Sequence, residues 1–498
     1  MSLKEKTLNA VKWNLLSTIV TVSLGMVSLW ALSHILDVEQ YGVISAALII
    51  TNFINMLLDF GISNSIVRSQ SVEKIELASL SFVNICMGVI AFILVFIFSG
   101  NIAGIFGGSE NLRLQVEIIS FGFVFIAFGL QPRALLTKDM AFDLLSRISI
   151  MVSITNFVIA ISLAFIFHKS WCVAIAFLTS SIIGSLSTRF CAKNLMNYGK
   201  GFQFKSIKKH FRYGIQLVID SLINQISINT YPVLMSRLIS FAAIGGYNIS
   251  YSISIALFER LNPVLSHALF PAFSKIGNDE SKLQSSFLKV TVFSSMINFP
   301  MLIGMMLAST NVVSIFFDEK WAFIPPIVQI LCIVGVLRSL ETPVISVLLV
   351  KAQMYRNIYL GIGKLLIGIP LAWYLGTRFG VTGIVYGFLI IQVINTILGY
   401  FYLLKPSLGI SGLTYLKTIM IPTVHVLPMV AGGLFLNKME PIDNQIAHLF
   451  ILIVSCFALY IVTLFMSPSH TVREFRLTII NNFMSKAFKK RNYLLLFP

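Results

Sequence analysis

Residues 32–61, LSHILDVEQYGVISAALIITNFINMLLDFG, join the end of one apolar segment to most of a second across a polar connection at 37–40. Spacings of three and four residues place the polar side chains of the second segment on one face of a helix. Those side chains are Ser45, Asn52, Asn55, Asp59 and Ser63. The stretch therefore predicts a pair of membrane-crossing helices, the second with a polar stripe that contains a carboxylate.

The same design returns about 203 residues further along, at the period expected of an internal repeat. The tetrapeptide SHIL at 33–36, followed by Gly42, corresponds to SRLI at 236–239, followed by Gly245. Repeated hairpins of this kind are typical of transporters that are built from two similar halves. The chain is therefore predicted to be such a transporter.

Composition places the whole chain in a membrane. Hydrophobic residues make up 56% of the 498, charged residues 11%, and the mean hydropathy is +0.86, whereas soluble proteins have about 25% charged residues. Apolar runs of about 20 residues recur throughout, as membrane-spanning helices require. An all-α polytopic protein of about 14 transmembrane helices is predicted. Its five cysteines lack the spacing of a disulfide framework or a metal site.

The predicted organisation has two halves, joined by a basic linker between the sixth and seventh spans. The domains are an N-terminal bundle at 1–190, a basic linker at 191–212, a C-terminal bundle at 213–404, two additional spans at 405–466 and a basic tail at 467–498. The predicted spans are 12–36, 42–67, 77–99, 113–131, 144–167, 170–189, 213–236, 242–266, 287–309, 323–350, 357–376, 381–404, 414–436 and 445–466.

Basic residues are distributed unevenly across this arrangement. Residues within four positions of a span end are counted here with the adjoining loop. Of the 37 Lys and Arg, 28 then fall on the side of the two termini, three lie within spans, and six lie in the opposite loops. Because cytoplasmic loops of membrane proteins are enriched in Lys and Arg, both termini and the linker are predicted to be cytoplasmic. The net charge of +17 is then explained by topology and lipid contact, and no nucleic-acid partner is expected.

Four spans have a polar face, and they are the first two of each predicted half. Helix–helix hydrogen bonding alone would explain the Ser, Thr and Asn residues. Their repetition in both halves, with carboxylates in three of the four stripes, favours a central cavity that water can enter. The stripes contain Asn14, Ser17, Thr21 and Ser28; the stripe of 45–63 described above; Gln216, Asp220, Asn224, Ser227 and Tyr231; and Asn248, Ser252 and Glu259.

Ionisable residues inside spans cost at least about 2.5 kcal/mol each at mid-membrane, so they are candidates for function. A proton or a sodium ion is the expected coupling ion, bound at Asp59, Asp220 or Glu259. The alternative for Asp59 is structural, as a hydrogen-bond acceptor for Asn55 or the backbone. The candidates are Asp59, Asp220, Glu259, Arg260, Arg338, Glu341 and Lys364, and an ion pair between Arg338 and Glu341 would be the structural explanation for those two.

Enzymatic chemistry is not indicated. The sequence around Gly361, Gly363 and Lys364 lacks P-loop spacing, and no H-E-x-x-H motif is present. A membrane-embedded glycan polymerase or transferase would need an extracytoplasmic domain, for which the spans leave no room. No metal or cofactor is predicted.

Several short motifs carry a resemblance to a known family. They are MSLKEKT at 1–7, DFGI at 59–62, GGYN at 245–248, LFPAF at 269–273, NFP at 298–300, EKW at 319–321, GVLRS at 335–339 and QVINT at 392–396. With these motifs the chain resembles, over nearly its whole length, the polysaccharide-exporting branch of the multidrug/oligosaccharidyl-lipid/polysaccharide (MOP) flippases, in particular the colanic-acid-type, Wzx-like exporters.

This resemblance implies two bundles of six helices that form a V-shaped central cavity, with two extra C-terminal helices. It implies an undecaprenyl-diphosphate-linked oligosaccharide as substrate, moved by alternating access from the cytoplasmic to the periplasmic leaflet of a bacterial inner membrane. A periplasmic polymerase and a chain-length regulator are the implied partners. The cationic role toward the diphosphate is matched to Arg260, with Asn248, Asn224 and Lys364 as further diphosphate or sugar contacts. The alternative is a drug or cation antiporter of the same superfamily.

Overall fold

A computed structural model describes residues 3–59, 62–68, 73–196, 198–199, 201–255, 273, 279–351, 353–439 and 444–477, with the backbone alone at 3–11, 64, 68 and 204–220. All regular elements within these ranges are helical. The all-α polytopic prediction is confirmed. The chain forms two compact units, one of residues 1–248 and 376–384, the other of residues 249–375 and 385–498.

The first unit is built mainly from long apolar helices, with two short helices, α3 and α5, in their connections. Its helices are α1 (Leu3–Ile35), α2 (Val38–Asp59), α3 (Ile62–Arg68), α4 (Lys74–Ile97), α5 (Ser99–Ile105), α6 (Glu110–Lys138), α7 (Phe142–Phe167), α8 (Trp171–Cys191), α9 (Phe204–Leu238) and the start of α10 (described over 241–255). In this unit α6 packs against α2, α4 and α8, and α1 packs against α7.

The second unit contains the rest of α10 and the helices that follow it. These helices are α11 (Glu280–Phe316), α12 (Pro325–Ser339), α13 (Glu341–Val350), α14 (Met354–Leu398), a π-helical segment (Gly399–Leu404), α15 (Lys405–Leu408), α16 (Gly412–Lys438) and α17 (Gln445–Met466). Helices α11, α16 and α17 pack on one another around a core that includes Met296, Phe299 and Leu452.

Eleven helices in the described ranges are long and apolar enough to cross a membrane. One of them, Met354–Leu408, reverses at Gly380, where φ is +62° and ψ is −142°. A positive φ is strained for most residues and accessible to glycine, so the connection between the predicted spans 357–376 and 381–404 turns at this residue. The two arms pack closely, because a Cβ at Gly387 would lie 3.0 Å from Ala372 Cα. The total of 14 spans stays a prediction.

Helix α9 begins at Phe204, inside the segment predicted as a linker and nine residues before the predicted span at 213. Apolar residues alternate with the basic ones in this part of the chain, so the helix extends beyond the hydrophobic segment by which a span is recognised. By its packing, α9 belongs to the first unit. The linker predicted at 191–212 divides the two repeated halves of the sequence, and that division stays a prediction.

Short polar side chains begin several helices by accepting backbone N–H groups that have no partner within the helix. Asp279 accepts from Lys282 N at the start of α11, Asn444 from Ile446 N and Ala447 N at the start of α17, and Ser411 from Thr414 N at the start of α16. The hydrogen bond from the backbone N–H of Lys282, with that from the Ser281 hydroxyl, lowers the pKa of Asp279 to about 2. These caps fix the ends of the helices outside the apolar segments.

Candidate functional site

A polar network lies inside the second unit, at residues that the hydropathy pattern places within spans. The Glu341 carboxylate oxygen Oε1 accepts hydrogen bonds from Gln392 Nε2 at 2.5 Å and from Asn395 Nδ2 at 2.6 Å. The Oε1 atom of Gln392 in turn lies 3.4 Å from Lys364 Nζ. A single buried amide, 0% exposed, therefore bridges an ammonium group and a carboxylate.

Arg338 adds a second cation to this region. Its Nη1 donates to the Tyr251 hydroxyl at 3.2 Å. Arg338 is the second-last residue of α12, and Glu341, three residues later, begins α13. Together Lys364, Arg338 and Glu341 comprise two cations and one carboxylate, so the network is suited to an anion.

A cavity of about 280 Å³ adjoins the network. It lies between the two arms of α14 and extends along the π-helical segment. Lys364 and Asn395 line it, and most of the remaining lining is aliphatic or aromatic: Tyr359, Leu360, Gly363, Ile367, Ile391, Ile394, Leu398 and Tyr402. The lining therefore combines a long apolar wall with a localised polar group.

Asp59, predicted as a coupling residue, ends α2 in the first unit. Its Oδ1 accepts the backbone N–H of Ser63 at 3.2 Å, which is the backbone bond that the structural alternative predicts. The stripe on α2 is not uniformly accessible: Ser45 is fully buried and donates to Tyr41 O, whereas Asn52 is exposed. The Asn55 Oδ1 atom is buried and has no hydrogen-bond partner in the described part of the chain.

The other predicted residues are divided between the two units. Helices α2 and α3 pack against α9, which brings two of the predicted stripes together. Asn224 on α9 is exposed and Asn248 on α10 is partly buried, and both lie in the first unit with Asp59, while Lys364 lies in the second. The Asp220 side chain, Glu259 and Arg260 lie outside the described residues.

The repeat-related glycines meet where α2 and α10 cross. A Cβ at Gly42 would lie 1.8 Å from the backbone oxygen of Phe241, and a Cβ at Gly245 would lie 3.1 Å from the backbone oxygen of Val38. Val38 and Phe241 are separated by the same 203 residues as the glycines, so the two contacts are related by the repeat. Neighbouring Ile44 and Ile244 are 3% and 0% exposed, and the crossing is therefore tightly packed.

Arg237 connects α9 to α5 at the same end of the first unit. Its Nε donates to Ile105 O at 2.8 Å and its Nη2 to Gly104 O at 3.1 Å. These carbonyls end α5, where a guanidinium group also interacts favourably with the helix dipole. The last turn of α9 is thereby tied to the connection between α4 and α6.

Sequence reasoning did not select Gln392, Asn395, Tyr251 or Arg237 as functional residues. Gln392 and Asn395 fall within the QVINT motif, and two amides three residues apart in an apolar helix share a face. That spacing could have identified the two amides as candidates for a shared polar site. Their common partner, Glu341, is 51 and 54 residues away in sequence, and no local pattern indicates a contact of that range.

Comparison with known proteins identifies the family. The family described as "Polysaccharide biosynthesis protein" matches residues 31–326. The chain is 33% identical over 428 residues to the lipopolysaccharide biosynthesis protein WzxC of Escherichia coli K12, covering 86% of this chain and 87% of WzxC. The chain belongs to the polysaccharide biosynthesis protein family.

A second relative in this family has a different cell-surface polymer in its name. The teichuronic acid biosynthesis protein TuaB of Bacillus subtilis 168 is 27% identical over 443 residues, covering 88% of this chain and 90% of TuaB. The family resemblance stated from the sequence motifs is confirmed by these two relatives.

Solved structures support the same fold. The lipid II flippase MurJ in an inward closed conformation matches with a TM-score of 0.72 at 16% identity, covering 96% of this chain and all of that one. An inward-facing multidrug resistance MATE transporter of the MOP superfamily matches with a TM-score of 0.63 at 13% identity, covering 82% and 94%. At these identities the matches establish the fold of this chain and nothing further.

Proposed function

We propose that this protein is a flippase that moves undecaprenyl-diphosphate-linked oligosaccharide repeat units from the cytoplasmic to the periplasmic leaflet of a bacterial inner membrane. The relatives named for lipopolysaccharide and teichuronic acid biosynthesis support a precursor of a surface polysaccharide as substrate. The fold shared with a lipid II flippase supports a lipid-linked one. The antiporter alternative is supported by a shared fold alone, with MATE transporters such as the 13%-identical one described above.

The proposed mechanism depends on the crossing of α2 and α10. Small residues allow helix backbones in a membrane to approach closely, and here the glycines come from corresponding places in the two repeats. With both termini in the cytoplasm, the crossing lies at the periplasmic ends of spans 2 and 8. A tight contact there closes the outer side while the inner side receives substrate, and its separation releases substrate outward.

In this mechanism, charge recognition takes place on the cytoplasmic side. Lys364 lies ten residues from the start of α14, about 15 Å along the helix, in the part of the span predicted to be nearest the cytoplasm. Guanidinium and ammonium groups bind phosphate through charge-assisted hydrogen bonds. Lys364 and Arg338 supply these groups in the second unit, and Arg260 is proposed as a further contact.

Asp59 is proposed to couple reorientation to a proton or sodium gradient. Replacing Asp59 with Asn leaves an oxygen that can accept the Ser63 N–H but removes the ionisable group. We expect normal abundance, retained substrate binding, and transport in vesicles that no longer responds to an imposed pH or sodium gradient. If the variant responds as the parent protein does, Asp59 has the structural role alone.

Deletion of the gene tests the proposed function as a whole. Cells without the protein should accumulate a lipid-linked oligosaccharide that is inaccessible to reagents added from the periplasmic side, because assembly continues while export stops. Restoring the gene should clear the accumulated lipid. Absence of any such accumulation in a strain that makes the polymer would reject the proposal.

A further inference from the structure

The cavity between the arms of α14 has the chemistry of a site for an amphiphile. Lys364 and Asn395 form the polar part of its lining, and the rest is formed mainly by isoleucine, leucine and tyrosine side chains. A sugar would leave its hydroxyl groups without partners against such a wall, which costs free energy for each buried polar group. An apolar chain with a charged end matches both parts of the lining.

The Lys364 ammonium group is incompletely paired. Its one hydrogen bond within the described part of the chain is the 3.4 Å contact with the Gln392 amide oxygen, although an ammonium group has three donors. Glu341, the carboxylate joined to Lys364 through Gln392, is already engaged by two amide N–H groups on one oxygen. An anion that entered the cavity would therefore find donors on both Lys364 and Asn395.

The polar and apolar parts of the cavity also have an order along the helix. Tyr359 lies five residues before Lys364, about 7.5 Å nearer the start of α14, and tyrosines are enriched at membrane–water boundaries. Ile367 continues the lining one turn beyond Lys364. The charge is thus placed between a boundary residue and deeper apolar walls.

We propose that this cavity binds the junction between the phosphate and the isoprenoid chain of a polyisoprenoid diphosphate, with the diphosphate at Lys364 and Asn395 and the first isoprene units along the aliphatic wall. This inference rests on the proposed function and assigns the lipid end of the substrate to the second unit. A diphosphate offers several charged oxygens to the two side chains together, and charge-assisted bonds of this kind are about twice as strong as neutral ones.

Two substitutions separate the two parts of the site. Lys364→Gln removes the charge and keeps a hydrogen-bonding side chain. Gly363→Phe fills the cavity, because Gly363 lines it and a Cβ there would meet no atom within 4 Å. The matched controls are Lys417→Gln, at an exposed lysine, and Gly25→Phe, at an exposed helical glycine whose Cβ would also meet no atom within 4 Å.

The measurement is binding of radiolabelled undecaprenyl diphosphate to the purified full-length protein, with undecaprenol, inorganic pyrophosphate and phosphatidylglycerol as competing probes. We expect Lys364→Gln to weaken binding of the diphosphate lipid at least about tenfold, the equivalent of about 1.4 kcal/mol. Binding of undecaprenol should be unchanged in this variant. Gly363→Phe should weaken binding of both lipids, Lys364→Arg should retain most of the affinity, and the controls should match the parent.

Equal binding by the parent, Lys364→Gln and Gly363→Phe proteins would overturn the inference, as would displacement by phosphatidylglycerol as effective as that by undecaprenyl diphosphate. In either case the parent would still restore export in the deletion strain if the proposed function is correct. A parent protein that neither binds the diphosphate lipid nor restores export would contradict both. Loss of folding is recognised independently, because Lys364→Gln and Gly363→Phe must elute from a size-exclusion column as the parent does.

Discussion

Replacing Gly42 with alanine is expected to abolish export while leaving the protein in the membrane. The added Cβ would lie 1.8 Å from the oxygen and 2.4 Å from the carbonyl carbon of Phe241. These are backbone atoms, so no side chain can move aside, and α2 and α10 must separate. Overpacking of this kind typically destabilises a packed state by about 1–3 kcal/mol. Here it raises the free energy only of the closed state, in which α2 and α10 are in contact.

The repeat provides graded controls for this expectation. A Cβ at Gly245 would approach backbone atoms only to 3.1 Å, so Gly245→Ala should reduce export without abolishing it. A Cβ at Gly25 would contact nothing within 4 Å, so Gly25→Ala should export normally. Export is measured as surface polysaccharide in the deletion strain, normalised to the amount of membrane protein. The same export from Gly42→Ala as from Gly25→Ala would refute a role for the crossing.

Replacing Glu341 with alanine is expected to destabilise the protein strongly. The substitution removes the acceptor of both Gln392 and Asn395. It also removes the carboxylate that Gln392, a fully buried residue, joins to Lys364. Breaking a buried charged network by removal of one partner costs about 3–5 kcal/mol. The variant should unfold at a clearly lower temperature in detergent and be less abundant in the membrane.

A double variant tests whether the loss of stability is caused by the unbalanced charge. Glu341→Gln leaves the two cations without a carboxylate, and adding Lys364→Gln removes one of them. The double variant should therefore be more stable than Glu341→Gln alone, giving a favourable coupling energy in a double-mutant cycle. Glu110→Ala is the surface control, because Glu110 is 85% exposed in its pair with Arg113. Strictly additive effects of the two substitutions would show that Lys364 and Glu341 act independently.

The fold class, and the glycines that define the crossing, could be predicted from the sequence because both depend on periodic or repeated patterns. Apolar runs identify spans, and the 203-residue repeat identifies Gly42 and Gly245 as corresponding residues. The contact between them could not be predicted, since the repeat specifies similar positions but not that these two positions touch. The start of α9 at Phe204 was missed because hydropathy detects the apolar part of a helix and not its polar extension.

The candidate site was predicted only in part. Lys364 was selected as a charge inside a span, and the structure adds a cavity beside it. Its neighbours come from α13 and the second arm of α14, and only folding brings them together. Asp59 illustrates the opposite limit: the sequence allowed both an ion site and a backbone acceptor, and its hydrogen bond to Ser63 N is compatible with either.

Transfer of a lipid-linked oligosaccharide across vesicles that contain only the purified protein is the most direct test of the central claim. Substrate with a labelled sugar is placed in the inner leaflet, and its arrival in the outer leaflet is measured by an impermeant glycan-cleaving enzyme added outside. The parent protein should transfer the substrate many times faster than protein-free vesicles, and Gly42→Ala should transfer it no faster than those vesicles. Transfer by the parent at the protein-free rate, under every imposed ion gradient, would contradict the account.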